Sequence, residues 1–212
     1  MKNAEKADYP QLHFNMLKVL HYKIISGLLI IVSVLLFILV PFVESPFQEF
    51  DFYGRNITGK APTFSLIDTQ GETRTLDDFR GRFVYLMFGY LGCDDVCHTQ
   101  ALSFYMLNRS IETERVHFLY LGMDPENDTA KKIDIYFDSR GTNFTGLLAQ
   151  NIAHAQAIAG DYNAYFSIEP SNGHTNRSIN HPGYIYLIDP DGNLRLLYNG
   201  SNLQIGRMID DL

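Results

Sequence analysis

A chain of 212 residues with 46% hydrophobic content holds one ordinary globular domain plus an appendage, not two full domains. A formal charge of -7, a pI near 5.4 and the lack of any basic stripe exclude a phosphate-neutralising nucleic-acid surface. Two cysteines are too few for a disulfide-stapled secreted scaffold, and a chain of this size needs no staple, so they must be explained as a pair.

The first element is an uncharged run from Ile24 to Val43, twenty residues that at the helical rise match a bilayer's hydrocarbon core. A buried core helix apolar on every side would need a larger protein around it, so the run predicts a transmembrane anchor. Lys2, Lys6, Lys18 and Lys23 precede it, whereas Glu44, Glu49 and Asp51 follow. That asymmetry puts residues 1–23 in the cytoplasm and the rest of the chain outside. No small-x-small cleavage site follows, and the leader lacks Arg and carries Glu5 and Asp8, which points to an uncleaved anchor in a bacterial inner membrane rather than a mitochondrial transit peptide. Residues 44–60, with Pro46, Gly54 and Gly59, read as a linker, and residues 61–212 as the globular domain.

Within that domain apolar β-rich runs alternate with helix-length segments, which predicts an α/β fold with a central sheet flanked by helices. Phe64–Ile67 is a short strand turned at Gln70-Gly71, and Phe83–Phe88 is a buried central strand. A helix is expected over Cys97–Ile111, a second central strand over Val116–Met123, and helices over Ala130–Ser139 and Ile152–Ala159. Tyr184–Ile188 and Leu194–Tyr198 form a strand pair turned at Asp191-Gly192, and a last helix covers Leu203–Leu212.

Cys93 and Cys97 stand where the first central strand hands over to a helix, the usual place for a site in an open α/β sheet. The helix N-terminus favours the thiolate, the form that attacks disulfides and ligates metals, while Asp94 and Asp95 oppose a bare thiolate but favour a bound cation. Three residues separate the cysteines, one more than in thioredoxin-type redox motifs. Positions i and i+4 share a helix face, so both sulfurs can converge on one ion that needs a further ligand. Thiolate and imidazole together suit copper or zinc, whereas an iron-sulfur cluster would want four cysteines. An inert buried pair or a structural disulfide is the alternative, although so short a loop gains little from closure.

Among the histidines, His13 and His21 precede the apolar run, His117 lies in a strand pattern and His154 on a helix. His98 is poorly set for joint chelation with its neighbour Cys97. His174, in a polar loop, and His181, at the mouth of the Tyr184 strand, both remain candidates, His181 the better placed.

At these residues the sequence resembles the SCO/SenC family of copper chaperones for cytochrome c oxidase, membrane-anchored proteins with a thioredoxin-like domain. The resemblance covers roughly residues 60–212. It rests on Ala61-Pro62-Thr63-Phe64-Ser65-Leu66, on Phe88-Gly89-Tyr90 leading into Cys93-x-x-x-Cys97, on Asp124-Pro125-Glu126-Asn127-Asp128-Thr129, and on Asn180-His181 running into Tyr184–Gly192. It implies a thioredoxin-like fold and copper held by Cys93, Cys97 and His181, deciding His181 over His174. By the same analogy Asp124 acts beside the ligands or faces a partner; Asp128 or Thr129 also suits simple turn and N-cap chemistry. The sequence departs from the family at His98 and Asp94, where Pro is usual or common, and at Asn180, where Asp is common.

The implied function is delivery of copper to the binuclear copper centre of the oxidase, with the copper-bearing oxidase subunit, an upstream copper donor and a thiol reductant as partners. The competing function is a membrane-anchored thiol-disulfide oxidoreductase using Cys93 and Cys97 as its redox-active pair to keep partner cysteines reduced.

Overall fold

The computed structural model describes residues 10–43, 51–93, 96–112, 114–138, 141–169, 178–200 and 202–212. The chain separates into two compact units at Asp51 and Phe52. Among its described residues the first holds one helix, α1 (Pro10–Val43), which contains the whole Ile24–Val43 run but starts fourteen residues before it. Its segment Lys18–Ile38, with mean hydropathy 2.2 and no residue buried, is long and apolar enough to cross a bilayer.

The second unit follows the order β1 (Arg55–Lys60), β2 (Ser65–Asp68), β3 (Thr73–Thr75), a 3-10 turn (Leu76–Phe79), β4 (Phe83–Gly89), α2 (Val96–Ser110), β5 (Val116–Gly122), α3 (Ala130–Asp138), β6 (Phe144–Leu148), α4 (Ile152–Asp161), β7 (Ser167–Ile168), β8 (Ile179–Asn180), β9 (Tyr184–Ile188), β10 (Asn193–Asn199) and α5 (Ile205–Asp210). Eight of these strands form one sheet in the order β1-β10-β9-β4-β5-β6-β2-β3, while β7 and β8 make a separate ribbon. Strands β4, β5 and β6 run parallel and the remaining pairs antiparallel. This is the expected thioredoxin-like sheet with helices on both faces. Alternation along β4 sends Tyr85 against Phe104 of α2 and the carbonyl of Met208 in α5, and Phe88 to the opposite face against Tyr162, just after α4.

Two strands of the main sheet depart from the sequence expectation, and the short β7–β8 ribbon is a further addition. Residues 55–60, which read as the end of a linker, pair with β10; their side chains are largely exposed, so no apolar alternation announces the strand. Strand β6 is masked in sequence by Gly146, yet glycine is required there, since any Cβ would collide with Ile133. The linker call for residues 44–50 lies outside the described residues.

The entry of the chain into this unit is clamped from far downstream. Asp211, 5% exposed, accepts from the Tyr53 amide at 2.9 Å, the Gly54 amide at 3.0 Å and the Tyr198 hydroxyl at 2.9 Å. Removing the carboxylate leaves three donors without an acceptor in a buried place. Asp211→Ala is therefore expected to lower unfolding stability by about 2–3 kcal/mol, read as a lowered urea midpoint with an unchanged m-value.

Candidate metal centre

Strand β4 delivers the first donor. After Gly89 the chain turns, with the Cys93 amide bonded to the Tyr90 carbonyl at 3.2 Å, and enters α2, whose first turn carries Cys97. Gly89 is needed for this approach, because a Cβ there would stand 3.0 Å from the Tyr120 ring and 3.4 Å from the Cys97 sulfur. Both cysteines are free of a disulfide and buried, at 5% and 4% exposure. The third donor comes from the turn before β9: His181 Nε2 lies 3.3 Å from Cys97 Sγ. The sulfurs of Cys93 and Cys97 and a ring nitrogen of His181 all lie within 4.8 Å of one another. Donors about 2.0–2.3 Å from a shared soft ion stand roughly 3.5–4 Å apart, so a small contraction closes this set around one metal.

The imidazole is held in the state a metal requires. Its Nδ1 lies 3.0 Å from the Pro182 carbonyl, which can only accept; Nδ1 therefore carries the hydrogen and Nε2 turns a lone pair to the sulfurs. Burial lowers the pKa of His181, keeping the ring neutral, with the Pro182 bond opposing in part. A backbone carbonyl thus orients the ring. The Tyr90 ring meets the imidazole edge-on at 5.9 Å.

At Cys97 the helix N-terminus does not decide the balance. The helix N-terminus supplies about 0.3–1 kcal/mol toward a thiolate. Burial outweighs it and pushes the Cys97 thiol well above the usual range, with the neighbouring Cys93 sulfur adding to the rise and a bond from the Tyr90 backbone opposing it. Asp94 and Asp95 lie outside the described residues.

His117 is buried between Arg82 and Thr145 and its pKa is lowered to about 3, chiefly by burial. His98 is exposed and its Nδ1 meets the Tyr136 hydroxyl. The His154 amide donates to Asn151, which caps α4. His21 is exposed on α1, which also holds His13; His174 lies outside the described residues.

The acidic loop has a division of labour the sequence did not reveal. Asp124, 3% exposed, is buried and accepts from the Asn127 side-chain nitrogen at 2.7 Å. Thr129 takes the capping role, accepting weakly from the Lys132 amide. Asp128 reaches across to the cysteine loop, accepting from the Leu91 amide at 3.0 Å and the Tyr120 hydroxyl at 3.4 Å. The signal available in sequence was topological: β4 and β5 are adjacent parallel strands, so the loops leaving their ends must meet.

Residues 55–212 match the SCO1/SenC family. The chain is 32% identical over 133 residues to mitochondrial protein SCO2 homolog of Bos taurus, covering 61% of this chain and 50% of that protein; it spans about half the length of the curated relatives it matches. Among solved structures it is similar to Bradyrhizobium japonicum ScoI with copper bound, at 25% identity and TM-score 0.63, covering 72% of this chain and 97% of that one. It is also similar to apo Sco1 of Thermus thermophilus, at 25% identity and TM-score 0.67, with 77% and 96% covered.

Burial raises the Asp128 carboxyl from 3.8 to about 6, Asp124 adding to the rise while the Leu91 and Tyr120 bonds and Lys132 oppose it. Between about pH 4 and 6 the folded chain retains a proton that the unfolded chain has released, so this group's contribution to stability falls as pH rises through that window. Unfolding midpoints measured from pH 4 to 7 should show Asp128→Asn gaining stability relative to the parent as pH rises.

Proposed function

This chain belongs to the SCO1/SenC family, and on that premise we propose that it is a copper metallochaperone supplying the binuclear copper centre of cytochrome c oxidase during assembly. The observation that carries the reading is the convergence of two thiols and a bare imidazole nitrogen within 4.8 Å. Sulfur and imidazole donors suit copper, and the copper-bound Bradyrhizobium relative adds support. Cys93, Cys97 and His181 would be the ligands.

Three donors leave a coordination position open, as transfer requires. The sulfurs are buried and His181 is only half-buried, so the imidazole forms the accessible side of the set. An incoming ligand from the recipient would displace His181 first, with the sulfurs released afterwards. Loading requires Cys97 to surrender its proton, which the ion's charge drives. A copper donor and a reductant that keeps the pair as thiols are the partners this chemistry needs upstream.

Thiol-disulfide exchange is the competing reading. The attacking species there is a thiolate, and the elevated pKa of Cys97 weakens it as a nucleophile.

The same reading assigns residues 24–43 to a single anchor in a bacterial inner membrane, residues 1–23 to the cytoplasm, and the globular unit from Phe52 onward, which includes β1, to the periplasmic side. The apolar helix and the basic-to-acidic change across it support this.

The reduced protein is expected to bind one copper per chain, with Cys93→Ser losing it and His181→Ala binding far more weakly; equal binding by His181→Ala would overturn the three-donor site. Because Cys97 releases a proton on loading, Cu(I) affinity measured by chelator competition should rise at least about tenfold per pH unit near neutrality.

A further inference from the structure

Gln100 lies on α2, one turn after Cys97, and is fully buried. Its side-chain nitrogen donates to the Gly183 carbonyl at 2.7 Å and approaches the Gly200 carbonyl at 3.4 Å. Its Oε1 is buried with no hydrogen-bond partner. A buried acceptor left in that state carries a desolvation cost, so the side chain is held there by what its donor end does. That end reaches the turn His181-Pro182-Gly183, two residues beyond the imidazole.

The turn is secured on two sides. Its attachment to the sheet is the Gly200 amide donating to Gly183, which continues the β9-β10 ladder beyond the Tyr184-Asn199 pair. That bond sets the turn against the sheet. Gln100 sets it against the helix that carries Cys97. We propose that Gln100 is a positioning residue for His181, a strut of fixed length between α2 and the imidazole turn that sets the separation of Nε2 from the Cys97 sulfur. This rests on the reading of His181 as a copper donor.

The chemistry of the strut is specific. Both groups it faces are carbonyls, and a primary amide offers two hydrogens to meet them. A carboxylate of the same shape offers none and would repel both oxygens. A thioether of similar length fills the space without bonding either.

The test uses the full chain in detergent, comparing the parent with Gln100→Met, Gln100→Glu, His181→Ala and the Gln100→Met/His181→Ala double variant. Two variants at Gln100 guard against one failing to fold. The metal-free readout is the NMR cross-peak between the Tyr90 and His181 rings, whose centroids are 5.9 Å apart. The loaded readout is Cu(I) affinity by competition with a chromophoric chelator.

Both Gln100 variants are expected to weaken the cross-peak and lower affinity about tenfold or more, the usual range for residues that orient a ligand. The double variant should bind no more weakly than His181→Ala alone, because the effect of Gln100 runs through that ring. An unchanged cross-peak with parental affinity overturns the proposal, as does a loss that adds to that of His181→Ala. If His181→Ala binds copper like the parent, the donor reading fails instead, and the cross-peak alone decides whether Gln100 holds the turn.

Discussion

The pairing of β4 with one parallel and one antiparallel neighbour fixes everything else in the site. In parallel register with β5, Gly89 stands beside Gly122, so the cysteine loop and the acidic loop leave the sheet at the same edge. In antiparallel register with β9, Met87 stands opposite Ile185, so β9 begins where β4 ends. The turn that precedes β9 therefore arrives over the helix that follows β4. Two donors from one end of a strand and a third from the start of its neighbour meet without either loop travelling far. A shift of β9 by one residue would reverse the facing of its side chains as well as carrying His181 away, and burial of Ile185, Leu187 and Ile188 resists it.

The large apolar strands and the cysteine pair were legible in the sequence because both are local patterns. Phe83–Phe88, Val116–Met123 and Tyr184–Ile188 lie within one or two residues of the strands observed. Strand β1 was not legible, since it is exposed and owes its existence to β10, more than a hundred residues away. The choice of His181 over His174 came from family resemblance. Residue physics alone gave it only a better location, because the pairing that brings it to Cys97 is non-local.

The least legible parts of the site are the groups that do not ligate. Asp128 pins the cysteine loop through the Leu91 amide, yet in sequence it looks like an ordinary turn residue. The Pro182 carbonyl fixes the imidazole tautomer, and no side-chain pattern announces a backbone acceptor. The competition at Cys97 between helix dipole and burial is likewise decided by packing, with burial the larger effect. A site that is apolar around its sulfurs favours the protonated thiol when metal-free, so its affinity for an ion is tied to proton release.

The Asp211 clamp also has a consequence in time. It joins Tyr53 and Asp211 across 158 positions of sequence, and β1 pairs with β10 across nearly as many. During synthesis the segment that will become β1 emerges early, and its docking partners are among the last parts of this domain to leave the ribosome. Its backbone must stay solvated or be shielded by another protein for that whole interval. Strands β4, β5 and β6 can meet before β10 exists, whereas the β1 edge of the sheet closes last. The strands that frame the cysteine loop can thus be in place while the seam between β1 and β10 is still open.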